Sequence, residues 1–302
     1  MTKARAAKEP PPIVEELHFR SDNAFLCMLL NRRTKQIRVI DFRAGALPAK
    51  RLFIQSVALR EGVKKVMLLV EKDEVSSWTR VGFVREGTVP GFYKRSDGHL
   101  VGCVIGDRTA SIEVSDAVQR QTDKTITAAK KRLEEFADTP KSITVKQATE
   151  RQAQSARDTL WKKPSAAYGS FDNFGRDAAR IYYEAASKKA KPNFISAEFQ
   201  DCFGHSLVEV LRVPANDAEL AATIAGLRTL GEDLKKREIV SAFAFAPFDN
   251  EVLSTAFLAA GYRKTGLLAQ GVVTEGERSD AILWSRKLAD PGGGDSSSED
   301  YD

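Results

Sequence analysis

The chain is poor in the residues that build covalent or metal-held frameworks. Its 302 residues contain only three cysteines and three histidines. Cys27, Cys103 and Cys202 are scattered, odd in number and form no CxxC pair, which argues against a disulfide framework and a structural zinc site. His18, His99 and His205 lack metal-ligand spacing. No run of 18 apolar residues occurs, so no membrane span is expected. The opening MTKARAAKEPPP carries charge but no apolar core, unlike a secretory signal. The expectation is a reducing, cytoplasmic setting. Strong charge of one sign is also missing: 46 cationic side chains face 41 anionic ones, a net charge of +5. Without a clustered basic stripe, nucleic-acid binding is disfavoured.

What is present is enough apolar material for real cores, 42% of residues. The length suggests two domains. Residues 1–12 and the acidic, Gly/Ser-rich 289–302 lack the apolar groups that offset ordering entropy, so both read as disordered tails. Between them the pattern is α/β. AFLCMLL (24–30) and QIRVIDFR (36–43) flank a polar turn and read as a hairpin. ALPAKRLFIQSVALREG (46–62) reads as a helix closed by Gly62, with Leu47, Leu52, Phe53, Val57 and Leu59 on its apolar face. VKKVMLLVE (63–71) is a buried strand, EVSSWTRVG (74–82) a short helix, and 83–105 two strands. The same order returns later. FISAEF (194–199) and SLVEVLRV (206–213) form a hairpin. DAELAATIAGLRTLGEDLKKR (217–237) is a long helix, and IVSAFAFA (239–246) a strand. NEVLSTAFLAAG (250–261) is a helix capped by Asn250 and ended by Gly261, and 262–273 and 279–288 are two strands. VGFVREG and AGYRKTG occupy matching positions, so the chain reads as an internal repeat of about 95 residues per copy.

This gives a first unit over 13–108, a helical linker over 109–165 and a second unit over 166–288. Within the linker, 115–140 and 142–164 both carry helical, highly charged patterns. They read as solvated, with a dimer arm or a partner-binding pair as the alternatives. FDNFGRDAARIYYEAASKK (171–189) places Phe174, Ala178, Ile181 and Tyr182 at helical spacing.

The second unit resembles the acetyltransferase fold of the GNAT superfamily, through Asn250 opening its last helix and the Gly261-Tyr262 pair closing it. A nearer resemblance is to the β-lysine N-acetyltransferases. It rests on GFVREGTVPGFYKRSDGHLVG (82–102), FLCMLL, ISAEF, LRVP, STAFLAAGY and GVVTEGERSDAILWSRKL (271–288). The resemblance implies an α/β (α+β) fold of two GNAT-like mixed-sheet units in tandem. It also implies acetyl transfer from acetyl-CoA to a small primary amine. The coenzyme's diphosphate would rest on the N-terminus of the long helix, where free N–H groups and the helix dipole favour anions. Leu211, Val213, Asn216, Asp217, Ala218 and Asn250 are the implied coenzyme contacts. Glu209 and Glu198 are the candidate general bases, with solvent-facing strand carboxylates as the alternative reading.

The loop departs from the family's pattern. Asn216 or Asp217 stands where an arginine is expected, and Ala218 where a glycine is. An added Cβ crowds the phosphate path. At an effective ε of about 20, like charges about 5 Å apart repel by roughly 3 kcal/mol. An Asp or Asn here is also a good helix cap. The matching loop of the first unit, RAGALPAKR (43–51), has Gly45, Lys50 and Arg51 but not the full motif. Phe257 stands where many members carry a proton-donating tyrosine. Tyr262 and Trp284 read as core, and His205 as a turn residue. A catalytically inactive binding or scaffold protein, with a homo-oligomer or protein partner at the linker helices, is the alternative function.

Overall fold

The computed structural model describes residues 10–21, 24–40, 45, 47–106, 113–163, 168–188, 190–200 and 203–289. The expected tails lie almost wholly outside these residues. The first unit runs β1 (Val14–Ser21), β2 (Ala24–Asn31), β3 (Gln36–Val39), α1 (Leu47–Arg60), β4 (Lys65–Val70), α2 (Val75–Arg80), β5 (Val84–Val89) and β6 (Gly98–Val104). A connection follows with α3 (Asp116–Lys131), β7 (Ile143–Ala148) and α4 (Glu150–Trp161). The second unit runs β8 (Ala179–Ser187), β9 (Asn193–Phe199), β10 (His205–Val210), α5 (Asp217–Lys236), β11 (Ser241–Pro247), α6 (Glu251–Ala259), β12 (Arg263–Thr274) and β13 (Glu277–Lys287).

All strands join one mixed sheet in the order β1-β2-β3-β4-β6-β5-β12-β13-β11-β10-β9-β8-β7. Read inward from each end, the two units have the same strand order, with β7 added outside β8. The pairing senses match as well: β3–β4 and β10–β11 are the parallel pairs, and all other neighbours are antiparallel. The fold is therefore mixed α/β, two like units in tandem.

The register extends the likeness to single residues. β5 slips by one residue between Arg85 and Gly87, and β12 between Lys264 and Gly266. These bulges end the matching segments VGFVREG and AGYRKTG. Gly82 and Gly261, which open the turns before them, have φ of +90° and +84°, a region that favours glycine. Gly87 and Gly266 then pair with each other, joining the units antiparallel at the middle of the sheet. A Cβ on Gly266 would stand 2.4 Å from the Glu86 carbonyl oxygen, so only glycine allows this approach.

Strand alternation separates two faces. Val66, Leu68 and Val70 point into a core with α1 and α2, while Ala242, Ala244 and Ala246 point into one with α5 and α6. Met67 and Leu69 of β4, with Leu207 of β10 and Phe243 of β11, meet in a third core built by both units. The helix-free face is thus folded over on itself.

Four sequence expectations are corrected. In α1 the buried residues are Leu47, Lys50, Arg51, Ile54, Val57 and Ala58, whereas Leu52 and Leu59 are 68% and 67% exposed. Residues 143–148 form an edge strand before the helix, because Thr149 with Gln152 builds a capping box that starts α4 only there. The span 171–189 carries β8, not a helix. Its β-branched and aromatic run Ile181-Tyr182-Tyr183 is held by pairing on both sides, which overrides the helical spacing. His205 begins β10, 4% exposed and stacked on Phe92 with ring centroids 3.6 Å apart.

Candidate active site in the second unit

Strands β10 and β11 pair only over His205–Leu207 with Ser241–Phe243. Beyond that point they part, and their C-terminal ends lead to the N-termini of α5 and α6. All six candidate coenzyme residues lie at this end. Leu211 is buried, donating its N–H to the Phe194 carbonyl and accepting from Gly169 N–H. Val213 packs at the margin of the α5–α6 core. Asn250 caps α6, its Oδ1 accepting from Leu253 N–H at 2.9 Å.

The first turn of α5 is filled by the chain itself. The cap is Asn216, whose Oδ1 accepts from Glu219 N–H at 3.0 Å. Asp217 points outward and takes a hydrogen bond of 2.6 Å from Arg132 of the connection, its side chain 75% exposed. Ala218 occupies the next position of the helix. Glu219 is the residue the sequence reading passed over. Its carboxylate turns back to accept from Ala215 N–H at 2.9 Å and Arg212 Nη1 at 2.5 Å, and its side chain is 5% exposed. Burial works to raise the Glu219 pKa, but the Arg212 guanidinium and the backbone N–H groups outweigh it and hold it below the ordinary carboxylate value. An internal anion therefore sits at the helix N-terminus, where free N–H groups and the helix dipole favour negative charge.

The candidate bases are brought together, but as one closed cluster. Arg180 of β8 donates to Glu198, and through Nη1 to Glu209 at 2.6 Å and to Ser196 Oγ at 2.8 Å. Glu198 accepts from Phe174 N–H at 2.9 Å and Gly175 N–H at 2.5 Å. Glu209 accepts from Ser170 N–H at 3.2 Å and Phe171 N–H at 3.3 Å. Burial works to lower the Arg180 pKa, and the two carboxylates outweigh it, leaving the pKa above its ordinary value. Neither carboxylate is a solvent-facing strand residue. They pin the strand-free segment 168–175 across the helix-free face, and Tyr168 Oη donates to the Phe245 carbonyl on β11. Tyr168, whose hydroxyl reaches β11 where the strands part, was missed by the sequence reading. Burial, with Glu209 adding to it, raises its pKa.

Tyr262 and Trp284 lie in the core as expected, and Phe257 lies there with them, stacked with Trp284 and edge-on to Tyr262. In the first unit, Arg51 donates to Cys103 Sγ and lies over Phe83. Most of the loop before it, 41–44 and 46, lies outside the described residues.

Segment 168–175 also touches the first unit. Asp172 accepts from Asn31 at 3.1 Å and Arg33 at 2.9 Å, and the Phe174 carbonyl from Arg38 at 2.6 Å. A cavity of about 100 Å³ is left between the units, lined by residues of β2, β3, β10, β11, β12 and β13 and by this segment.

No protein-family model matches the chain, and no curated protein does. Among solved structures it is similar to a putative acetyltransferase from Sphaerobacter thermophilus DSM 20745, with 15% identity, a TM-score of 0.38, and coverage of 49% of this chain and 96% of the other. A spermidine N-acetyltransferase from Vibrio cholerae in complex with CoA and spermine gives 7% identity, a TM-score of 0.39 and coverage of 50% and 99%. The ribosomal-protein-S18-alanine N-acetyltransferase from Escherichia coli gives 13%, 0.37, and coverage of 50% and 97%. Each spans about half of this chain. Among the described residues no helix is long and apolar enough to cross a membrane.

Proposed function

We propose that the chain is a tandem GNAT-type protein whose second unit is built for acetyl transfer. The donor is acetyl-CoA and the acceptor a small primary amine, as the resemblance to β-lysine N-acetyltransferases implies. The observation that carries this reading is the parting of β10 and β11 beyond Leu207 and Phe243. It leaves room for an extended arm between two strands, directly below the capped N-termini of α5 and α6. In this arrangement the diphosphate must displace Glu219 from the first turn of α5, and the amine must approach from the face covered by segment 168–175.

A second reading, a catalytically inactive binding protein, is favoured by the Arg180–Glu198–Glu209 cluster, because both candidate bases are engaged by one guanidinium and by backbone N–H groups rather than left open to a substrate. Thermal unfolding with and without acetyl-CoA separates the two. At 100 times its dissociation constant, a ligand stabilises the folded chain by about 2.7 kcal/mol. The transferase reading expects that shift and amine-dependent release of CoA. An unchanged unfolding midpoint at millimolar acetyl-CoA contradicts it and leaves the binding-protein reading.

A further inference from the structure

We propose that the cavity between the two units is a binding site for a small oxyanion, a carboxylate or phosphate group, held by Arg38 and Arg278. The two guanidiniums reach the cavity from different units. Arg38 is on β3 of the first and Arg278 on β13 of the second, and both line it. Arg38 is 6% exposed. Its Nη1 donates to the Phe174 carbonyl, and its Cζ lies 3.9 Å from the Phe174 ring centroid. Its Nε is buried and has no partner. Arg278 donates to the carbonyls of Gln270 and Thr34, at 2.7 Å and 2.6 Å, and to Gln36 Oε1 at 3.3 Å. Gln36 and Arg38 are two apart on β3, so they share a face and place the two cations on the same cavity.

Among the described residues, neither guanidinium forms an ion pair. The carboxylates around them are already committed. Glu198, which faces Arg38 from β9, is held by Arg180, and Glu209 by the same arginine. Asp172 is held by Arg33 and Arg157. Glu86, which faces Arg278 from β5, is held by Lys65. The remaining neighbours, Tyr93 and the buried His205, bring Arg38 no ion-pairing carboxylate. Burial lowers the pKa of both arginines to about 10, offset in part by Glu198 and Tyr93 for Arg38 and by Glu86 for Arg278. A guanidinium removed from water without a counter-ion is strongly unfavourable. A planar fork with an unused donor matches the lone pairs of a carboxylate or phosphate.

The repeat shows that the fold does not require this charge. Arg38 pairs across the sheet with Leu29 and Met67, and Leu207 holds the same place against Glu198 and Phe243. Arginine in the first unit and leucine in the second line the same cavity. The site goes beyond the acetyl-transfer reading and does not depend on coenzyme binding.

The test is thermal unfolding of the full chain at fixed ionic strength, with sodium acetate or sodium phosphate replacing sodium chloride. The expected result is a saturable rise of roughly 2–4 °C at ten times the dissociation constant. Arg38→Leu should abolish the rise while leaving the midpoint in chloride no lower than that of the unmodified chain, and Arg278→Gln should weaken it. A larger response to acetate assigns the site to a carboxylate, and a larger response to phosphate to a phosphate group. General salting effects act on both proteins alike. An equal response in the unmodified chain and Arg38→Leu, or no saturable response in either, overturns the proposal.

Discussion

The two units share strand order, bulges and turn glycines, yet they bury charge at different places. In the first unit Lys65 and Glu86 form an ion pair of 2.5 Å, their side chains 0% and 3% exposed, beside Gly102. The register places Ser241, Thr265 and Ser285 at the equivalent positions of the second, where Thr265 and Ser285 share a hydroxyl hydrogen bond of 2.7 Å. The second unit instead buries Arg180, Glu198 and Glu209, and the first has Glu16, Leu29 and Ile40 there. Even the minor contacts correspond. Arg180 bonds Ser196 in one copy, and Cys27 bonds Glu16 in the other. One backbone thus accepts a charged, polar or apolar side chain at corresponding positions.

The largest expected effect comes from breaking the first unit's pair. Glu86→Gln leaves a buried ammonium without its counter-charge and is expected to cost about 3–5 kcal/mol in urea unfolding. Copying the second unit through Lys65→Ser, Glu86→Thr and Gly102→Ser together should recover most of that loss. If the triple variant is as damaged as the single one, the positional equivalence fails. Next is the junction. Gly266→Ala puts a Cβ 2.6 Å from Gly87 Cα, and overpacking there should cost about 1–3 kcal/mol. A silent substitution would mean that the units do not meet through these bulges.

A smaller effect is tied to pH. Burial, with the nearby Arg38 charge, lowers the His205 pKa to about 3, against a weaker opposing hydrogen bond to the Phe92 carbonyl. Below pH 6.5 the unfolded chain takes up a proton that the folded chain does not. This contribution should therefore lower stability as pH falls, by at most about 1.4 kcal/mol per pH unit. His205→Gln, which copies Gln36 of the first unit, should remove that component of the slope. An unchanged slope would place the titration elsewhere.

Much of the fold was legible because it rests on local signals. The hairpins, the Gly62 and Gly261 helix ends, the Asn250 cap and the matched VGFVREG and AGYRKTG segments all lie close in sequence. What was hidden depends on tertiary contact. β7 and β8 read as helices because their spacing suits either state, and pairing decides between them. Gln36 and Arg38 alternate with Ile37 and Val39, a pattern that normally marks a solvated face. Here the sheet folds over and encloses it. At the start of α5, the sequence pointed to a capping role, which Asn216 takes. It named Asp217 as the competing charge, whereas the buried carboxylate is Glu219, two residues on, reached only by its turn back towards Ala215 and Arg212. Glu198 and Glu209 stand out in the sequence as candidate bases on neighbouring strands. That Arg180 clamps both could not be read from residues so far apart in the chain.

In the proposed acetyl-transfer reading, the Glu219 carboxylate occupies the place at the start of α5 that the coenzyme's diphosphate would take. The direct measurement is the acetyl-CoA dissociation constant of the full chain and of Glu219→Gln, which removes the charge and keeps a hydrogen-bonding group of the same size. Removing a like charge about 5 Å away in a partly screened site should tighten binding by about tenfold or more. Equal affinity in the two proteins, or weaker binding by the variant, would contradict the claim.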